Sequence, residues 1–159
     1  MSATPATRAL DRAGVGYTLH AYEHDPANRH FGDEAATALG VDPLRIFKTL
    51  VVDVGTGRPP LAVAVVPVAA RLDLKTMATA LGVKKVELAD PALASRSSGY
   101  LVGGISPFGQ KTPLPTVIDE TAELFDTVFV SAGRRGLQVE LSPADLARIT
   151  HGSLADIAR

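Results

Sequence analysis

The chain contains no cysteine and no tryptophan, and aromatic residues fill only 5% of its 159 positions. Without cysteine there is no disulfide scaffold, no thiolate metal site and no cysteine nucleophile, and a reducing cytoplasmic setting is the expectation. Core volume has to come from Val, Leu, Ile and Ala. No run approaches the roughly 18 apolar residues of a membrane span, so no membrane partner is expected. The leading stretch MSATPATRALDRAG lacks the apolar core of a signal peptide and reads as a helix. Charge is balanced too: 16 Lys and Arg against 17 Asp and Glu leave −1, so nucleic acid would have to be held by a local patch.

Standard catalytic signatures are also missing. There is no G-x-S-x-G elbow, no G-x-G-x-x-G fingerprint, and the glycine-rich loop GGISPFGQK lacks the GK[ST] ending of a phosphate loop. His20, His24 and His30 lie close in sequence, but they fall on a strand and a loop with no helical ligand spacing, so no metal and no cofactor are expected. Ser106 and Ser131 need a nearby base to act as nucleophiles. Asp25, Asp33 and Glu34 read as capping or solvated carboxylates.

What is present is a globular composition, 46% apolar and 21% charged. Thr4-Pro5 starts a helix with Ala6, Leu10 and Ala13 inward and Gly14 as its stop. Strands are expected at 17–22, 46–54, 61–66, 116–119, 127–131 and 137–141, and helices at 32–39, 74–81, 91–97 and 143–149. Several strand pairs are close enough in sequence to be antiparallel. The expectation is one α/β domain over residues 1–159, with a mixed, largely antiparallel sheet and flanking helices.

Two features ask for a function. Lys48 sits inside the apolar run IFKTLVV, where an ammonium needs a partner or an opening to water. The stretch YLVGGISPFGQK carries three glycines and little side-chain chemistry, which suits either a plain turn or a backbone cradle for an anion or a carbonyl. Basic residues from Arg71 to Lys111, with Arg134 and Arg135, read either as a phosphate-tracking surface or as a solvated face.

The segments YEHDP (22–26), FGDE (31–34), FKTL (47–50), LAVAVVPV (61–68), LDLK (72–75), SSGYLVGGISPFGQK (97–111) and RRGLQVEL (134–141) follow one another in an order that resembles the YbaK/EbsC family. Its best-known members are Cys-tRNA(Pro) deacylases related to the editing domain of bacterial prolyl-tRNA synthetases. The resemblance implies that editing fold. It also implies a trans-acting aminoacyl-tRNA deacylase that clears Cys-tRNA(Pro), with the substrate's thiol as nucleophile. It places Lys48, Gly103 and Gly104 in catalysis, and Tyr22, Phe31, Thr49, Ile105, Ser106, Pro107, Ser131 and Gln138 around the aminoacyl ester and the 3′-terminal adenosine. Gln138 stands where the family often has Asp. A transient complex with prolyl-tRNA synthetase is implied as well. The alternatives are editing of Ala-tRNA(Pro) or another small mischarged aminoacyl-tRNA by activated water, and a non-catalytic module that binds tRNA or a synthetase.

Overall fold

Strand β2 (Phe47–Asp53) is flanked at its two ends by different sheets in a computed structural model that describes residues 3–159. One sheet has the order β4-β2-β3-β5-β8, with β3 at Leu61–Pro67, β4 at Glu87–Leu88, β5 at Thr116–Asp119 and β8 at Ser153–Ala155. Its β4, β2 and β3 are antiparallel, whereas β3, β5 and β8 run parallel. The other sheet, wholly antiparallel, is β1 (Thr18–Ala21), β7 (Leu137–Leu141) and β6 (Val128–Arg134). The expected mixed sheet is therefore divided in two, joined by a single parallel bridge from Ile46 to Phe129.

The helices form where the sequence caps them. The Thr4 hydroxyl accepts from Thr7 N, and Thr7 Oγ1 accepts from Thr4 N, a reciprocal box that starts α1 (Pro5–Arg12). Thr4 Oγ1 also donates to Ala132 O at 2.6 Å, which docks the helix on β6. Ala6 and Leu10 are buried, but Ala13 is exposed, because it is the C-cap residue beyond the last turn; Thr7 fills the inward position instead. Helix α2 (Phe31–Leu39) ends on Gly40, and α3 (Leu74–Leu81) runs from Asp73 to Gly82; both glycines are left-handed. Helix α4 (Pro91–Ser98) is capped by Asp90, and α5 (Pro143–Thr150) by Ser142. A 3-10 turn at Glu120–Leu124 and the short strands β4 and β8 were not foreseen. No helix among the described residues is long and apolar enough to cross a membrane.

All of β3 is buried, which makes it the centre of the larger sheet. One face of the smaller sheet carries Leu137, Val139, Leu141, Val128 and Val130 into the main core. The other face is polar at its edge, where Glu140 accepts from Thr127 Oγ1 at 2.6 Å and from Arg45 Nη2 at 3.0 Å and pairs with His20 Nε2. These contacts, led by the Thr127 hydroxyl, hold the Glu140 carboxyl below the usual carboxylate range against the opposing effect of burial.

A buried acid ties down the C-terminal segment, beside main-chain bonds between Arg71 and Arg159 and from Asp73 N to Ile157 O. Asp119, 1% exposed, accepts from Ile157 N at 3.0 Å and Ala158 N at 3.1 Å, and its other oxygen accepts from the Thr121 hydroxyl and amide. Hydrogen bonds to a buried charge are among the stronger kind, so Asp119→Ala should lower unfolding free energy by about 2–3 kcal/mol. Urea titration measures it; Glu120→Ala, on the exposed neighbour, should stay within about 0.5 kcal/mol. Equal midpoints for the two variants would remove Asp119 as the clamp.

Candidate active site

The pocket is a gap in pairing. Val68 N donates to Ile46 O and Val54 N to Pro60 O, so the even-numbered residues of β2 bond to β3. In an antiparallel ladder the intervening residues then turn their N–H and C=O to the other edge. On that edge β6 reaches β2 only at the Ile46 bridge, and β4 pairs only with Val52 and Asp53. Thr49 lies between them with no strand beside it. A cavity of about 460 Å³ opens here, floored by residues 47–51 and walled by Phe31, Val102, Ile105, Ser131 and Gln138.

The glycine-rich loop forms one wall, and it is tightly held. Tyr100 donates its hydroxyl to Phe108 O at 2.6 Å, and Ser106 Oγ accepts from Phe108 N. Gln110 donates to Ser106 O, and Arg135 donates through Nε and Nη2 to Val102 O at 2.9 and 2.7 Å. The same guanidinium lies 4.6 Å from the centre of the Phe31 ring. Phe31 in turn presses on Gly103, where a Cβ would come within 2.6 Å of a ring carbon and φ is +90°. At Gly104 a Cβ would meet the Arg134 backbone at 2.8 Å. Both positions need glycine for close approach.

Gly104 spends its polar groups on this framework: its N–H closes a turn to Leu101 O, and its carbonyl accepts from Ser131 Oγ at 3.0 Å. The Gly103 and Ile105 amides, by contrast, have no acceptor among the described residues. Two main-chain donors on pocket-lining residues are thus unbonded.

Lys48 is half-buried on the pocket floor and makes no ion pair among the described residues. Burial pushes its ammonium below an ordinary lysine; the Asp33 carboxylate opposes this and Arg71 adds to it. Thr49 Oγ1 and Gln138 Oε1 are buried without hydrogen-bond partners. Ser131 lines the pocket, but its hydroxyl is committed, donating to Gly104 O and accepting from Gly133 N. Ser106 is fully buried in the loop's own turn. Neither serine has a base beside it.

Of the residues singled out from sequence, the structure brings Phe31, Lys48, Thr49, Gly103, Ile105, Ser131 and Gln138 to one cavity. Gly104, Ser106 and Pro107 lie behind its wall. Tyr22 stands off the lining, packed with Phe129 and Ala35; burial raises its hydroxyl, opposed by the Gly136 backbone and the Gln138 amide. Sequence reasoning missed Asp33 and His30 at the mouth, and the apolar rim of Leu88 and Val102 beside Leu101, which is 71% exposed. The exposed pair Leu101-Val102, next to the double glycine, was the available signal.

Three of the basic residues have assigned surroundings. Arg135 is spent on Val102 and Phe31, and Lys85 pairs with Glu87 at a separate hollow that also holds Lys84. His24 Nδ1 bonds Glu34 at 2.6 Å, and no cluster of three potential metal ligands occurs among the described residues.

The model of the aminoacyl-tRNA editing domain matches residues 27–149, a span that contains every lining residue named above. A protein of Enterococcus faecalis provisionally named the Cys-tRNA(Pro)/Cys-tRNA(Cys) deacylase EbsC is 41% identical over 97% of this chain and 92% of its own. The Escherichia coli Ser/Thr-tRNA deacylase ProXp-y is 32% identical over 94% of this chain and 89% of its own. A crystal structure described as a provisional trans-editing enzyme for prolyl-tRNA synthetase superposes with a TM-score of 0.80 at 27% identity, covering 99% of both chains. The family model over residues 27–149 agrees with curated relatives and a fold that cover nearly the whole chain, and the protein belongs to the aminoacyl-tRNA editing domain family.

Proposed function

We propose that this protein is a trans-acting aminoacyl-tRNA deacylase, one editing domain over residues 1–159, that clears Cys-tRNA(Pro) in the cytoplasm. The observation that carries the reading is Lys48: a half-buried ammonium with no ion pair, in a cavity with two unbonded backbone donors and no hydroxyl that has a base beside it. Such a site can orient an ester and stabilise negative charge, and none of its hydroxyls has a base to make it a nucleophile. The substrate must bring its own nucleophile, or water must serve.

A cysteinyl ester brings one. Its sulfur attacks the ester carbonyl, the C–S bond forms as the bond to the ribose oxygen breaks, and the thiol proton ends on that oxygen. The products are a cyclic thioester, which water opens later, and a tRNA with a free terminal hydroxyl. Phe31, Thr49, Ile105, Ser131 and Gln138 surround the aminoacyl group. Gly103 and Ile105 amides meet the oxyanion, and Gly104, Ser106 and Pro107 hold the loop that presents them. Tyr22 packs beside the lining against Phe129 and Ala35. The exposed rim of Leu101 and Val102 suits the flat face of the terminal adenosine. The trans-editing structural neighbour supports a transient partnership with prolyl-tRNA synthetase. The name of the Escherichia coli relative favours one competitor, removal of serine or threonine by water.

Lys48→Ala should lower kcat/KM for Cys-tRNA(Pro) at least about tenfold, equivalent to ~1.4 kcal/mol of transition-state stabilisation. The pH profile gives the sign. Rate should rise as the substrate thiol ionises near about 8.5, then fall as Lys48 loses its proton at a pH below the ordinary lysine value of 10.5. Lys48→Arg should abolish the fall. Full activity in a folded Lys48→Ala protein would exclude the ammonium from the mechanism.

Cysteine and serine esters differ by one atom, and pocket contacts alone separate such isosteres by no more than about a hundredfold. Thiol attack therefore predicts a Cys-tRNA to Ser-tRNA rate ratio above that, with the cyclic thioester trapped as first product. Equal rates with free amino acid as first product would transfer the assignment to water-mediated hydrolysis.

A further inference from the structure

The partly exposed Arg135 guanidinium is held on two sides. Its Nε and Nη2 donate to Val102 O at 2.9 and 2.7 Å, and its central carbon lies over the Phe31 ring, 4.6 Å from the ring centre. Both partners line the cavity. The turn that carries it is pinned as well. The Arg134 backbone fills the place of a Gly104 side chain, and Gly136 O accepts from Tyr22 N at 2.9 Å. Yet this guanidinium is spent along one edge only. A guanidinium offers two forks of parallel N–H bonds, one from Nε with a terminal nitrogen and one across the two terminal nitrogens. Val102 takes the first fork, and Nη1 has no acceptor among the described residues.

No carboxylate answers its charge. Acidic side chains pair with Arg45, Arg148 and Arg159, but none pairs with Arg135, or with the exposed Arg134 beside it, among the described residues. A carbonyl and an aromatic face position the cation without neutralising it. A planar fork fixed in this way matches two oxygens of a phosphate, and little side-chain freedom is left to lose on binding.

We propose that the open Nη1–Nη2 edge of Arg135 receives the phosphodiester that joins the terminal adenosine of the substrate to the nucleotide before it. The inference rests on the deacylase reading and adds a contact outside the aminoacyl pocket. That reading sets the adenine face on Leu101 and Val102, and Arg135 grips the Val102 carbonyl. With the ester on the 3′ side of the nucleoside drawn into the cavity, its 5′ side stays at the rim, where this edge is. Lys48 on the floor and Arg135 at the wall then act on opposite ends of one nucleotide. The hollow of Lys84 and Lys85 is the weaker candidate for this phosphate, because it also holds Asp53 and Glu87 and Lys85 is paired there.

The experiment compares natural Cys-tRNA(Pro) with a form whose last phosphodiester is replaced by a methylphosphonate, which removes its charge and one of its oxygens. Rates are corrected for uncatalysed hydrolysis. Hydrogen bonds to a charged group are the stronger kind, so wild type should lose at least about tenfold in kcat/KM on the neutral linkage. Arg135→Gln keeps an N–H for Val102 O but not the charge. It should lower cleavage of the natural form and bring the two forms within about twofold of each other. Arg135→Lys, which keeps the charge without the fork, should fall between and carries the test if Arg135→Gln does not fold. Arg134→Gln should keep most of the wild-type difference. A role confined to holding the loop would lower both forms alike. An unmoved ratio in both Arg135 variants therefore overturns the phosphate assignment and leaves deacylation intact. So does equal cleavage of the two forms by wild type, or an equal effect of Arg134→Gln and Arg135→Gln, which would mean diffuse charge. Cleavage of neither form by wild type overturns both readings.

Discussion

Backbone N–H and C=O groups removed from water must find partners, and a strand edge left open inside a protein is costly for that reason. β2 keeps such an edge open at Thr49, because β6 stops at Ile46 on one side and β4 begins only at Val52 on the other. The missing pairings create the cavity, and they place Lys48 and Thr49 on its floor. Had β6 continued along β2, the two sheets would have merged and the pocket would have closed. Instead β6 bulges after Ser131, where its register against β7 shifts between Ser131 and Arg134. The bulge aims Arg135 across the loop toward Val102 and Phe31.

That clamp resolves an apparent contradiction in the glycine-rich loop. Glycine lowers the cost of unusual backbone conformations but does not by itself hold one. Here the freedom is used for proximity: Phe31 occupies the place of a Gly103 side chain, and Arg134 backbone that of Gly104. The loop carbonyls are held by Tyr100, Ser131 and Arg135, and the Gly103 and Ile105 amides have no acceptor among the described residues. Preorganised donors need no rearrangement when charge develops, so the proposed ester cleavage does not depend on a hydroxyl paired with a base.

The parts of this that were legible in the sequence were the local ones. Helix ends at Thr4, Ser142, Gly40 and Gly82 depend on residues within a turn of one another, and they fell where their caps indicated. Lys48 stood out because a charge inside an apolar run breaks the pattern of its own strand. Strands β4 and β8, two and three residues long, depend on partners far along the chain and leave no periodicity to read. The same holds for the site's finer chemistry. The burial of Gln138 follows from its pairing with Ser131 across the sheet, and Arg135 looked like one of several surface cations until the loop it grips was folded beneath it. Resemblance to a family carried the site residues further than pattern did, but it could not separate those that line the cavity from Gly104 and Ser106, which support it from behind.

The central claim is that the gap beside β2 receives the aminoacyl ester. Its most direct test is a crystal structure with 3′-deoxy-3′-(L-cysteinylamino)adenosine, in which an amide replaces the scissile ester. The account predicts the aminoacyl group inside the gap, its carbonyl oxygen on the Gly103 and Ile105 amides and its base against Leu101 and Val102. The compound lodged elsewhere, for instance in the hollow beside Lys84 and Lys85, with the gap beside Thr49 vacant, would contradict it.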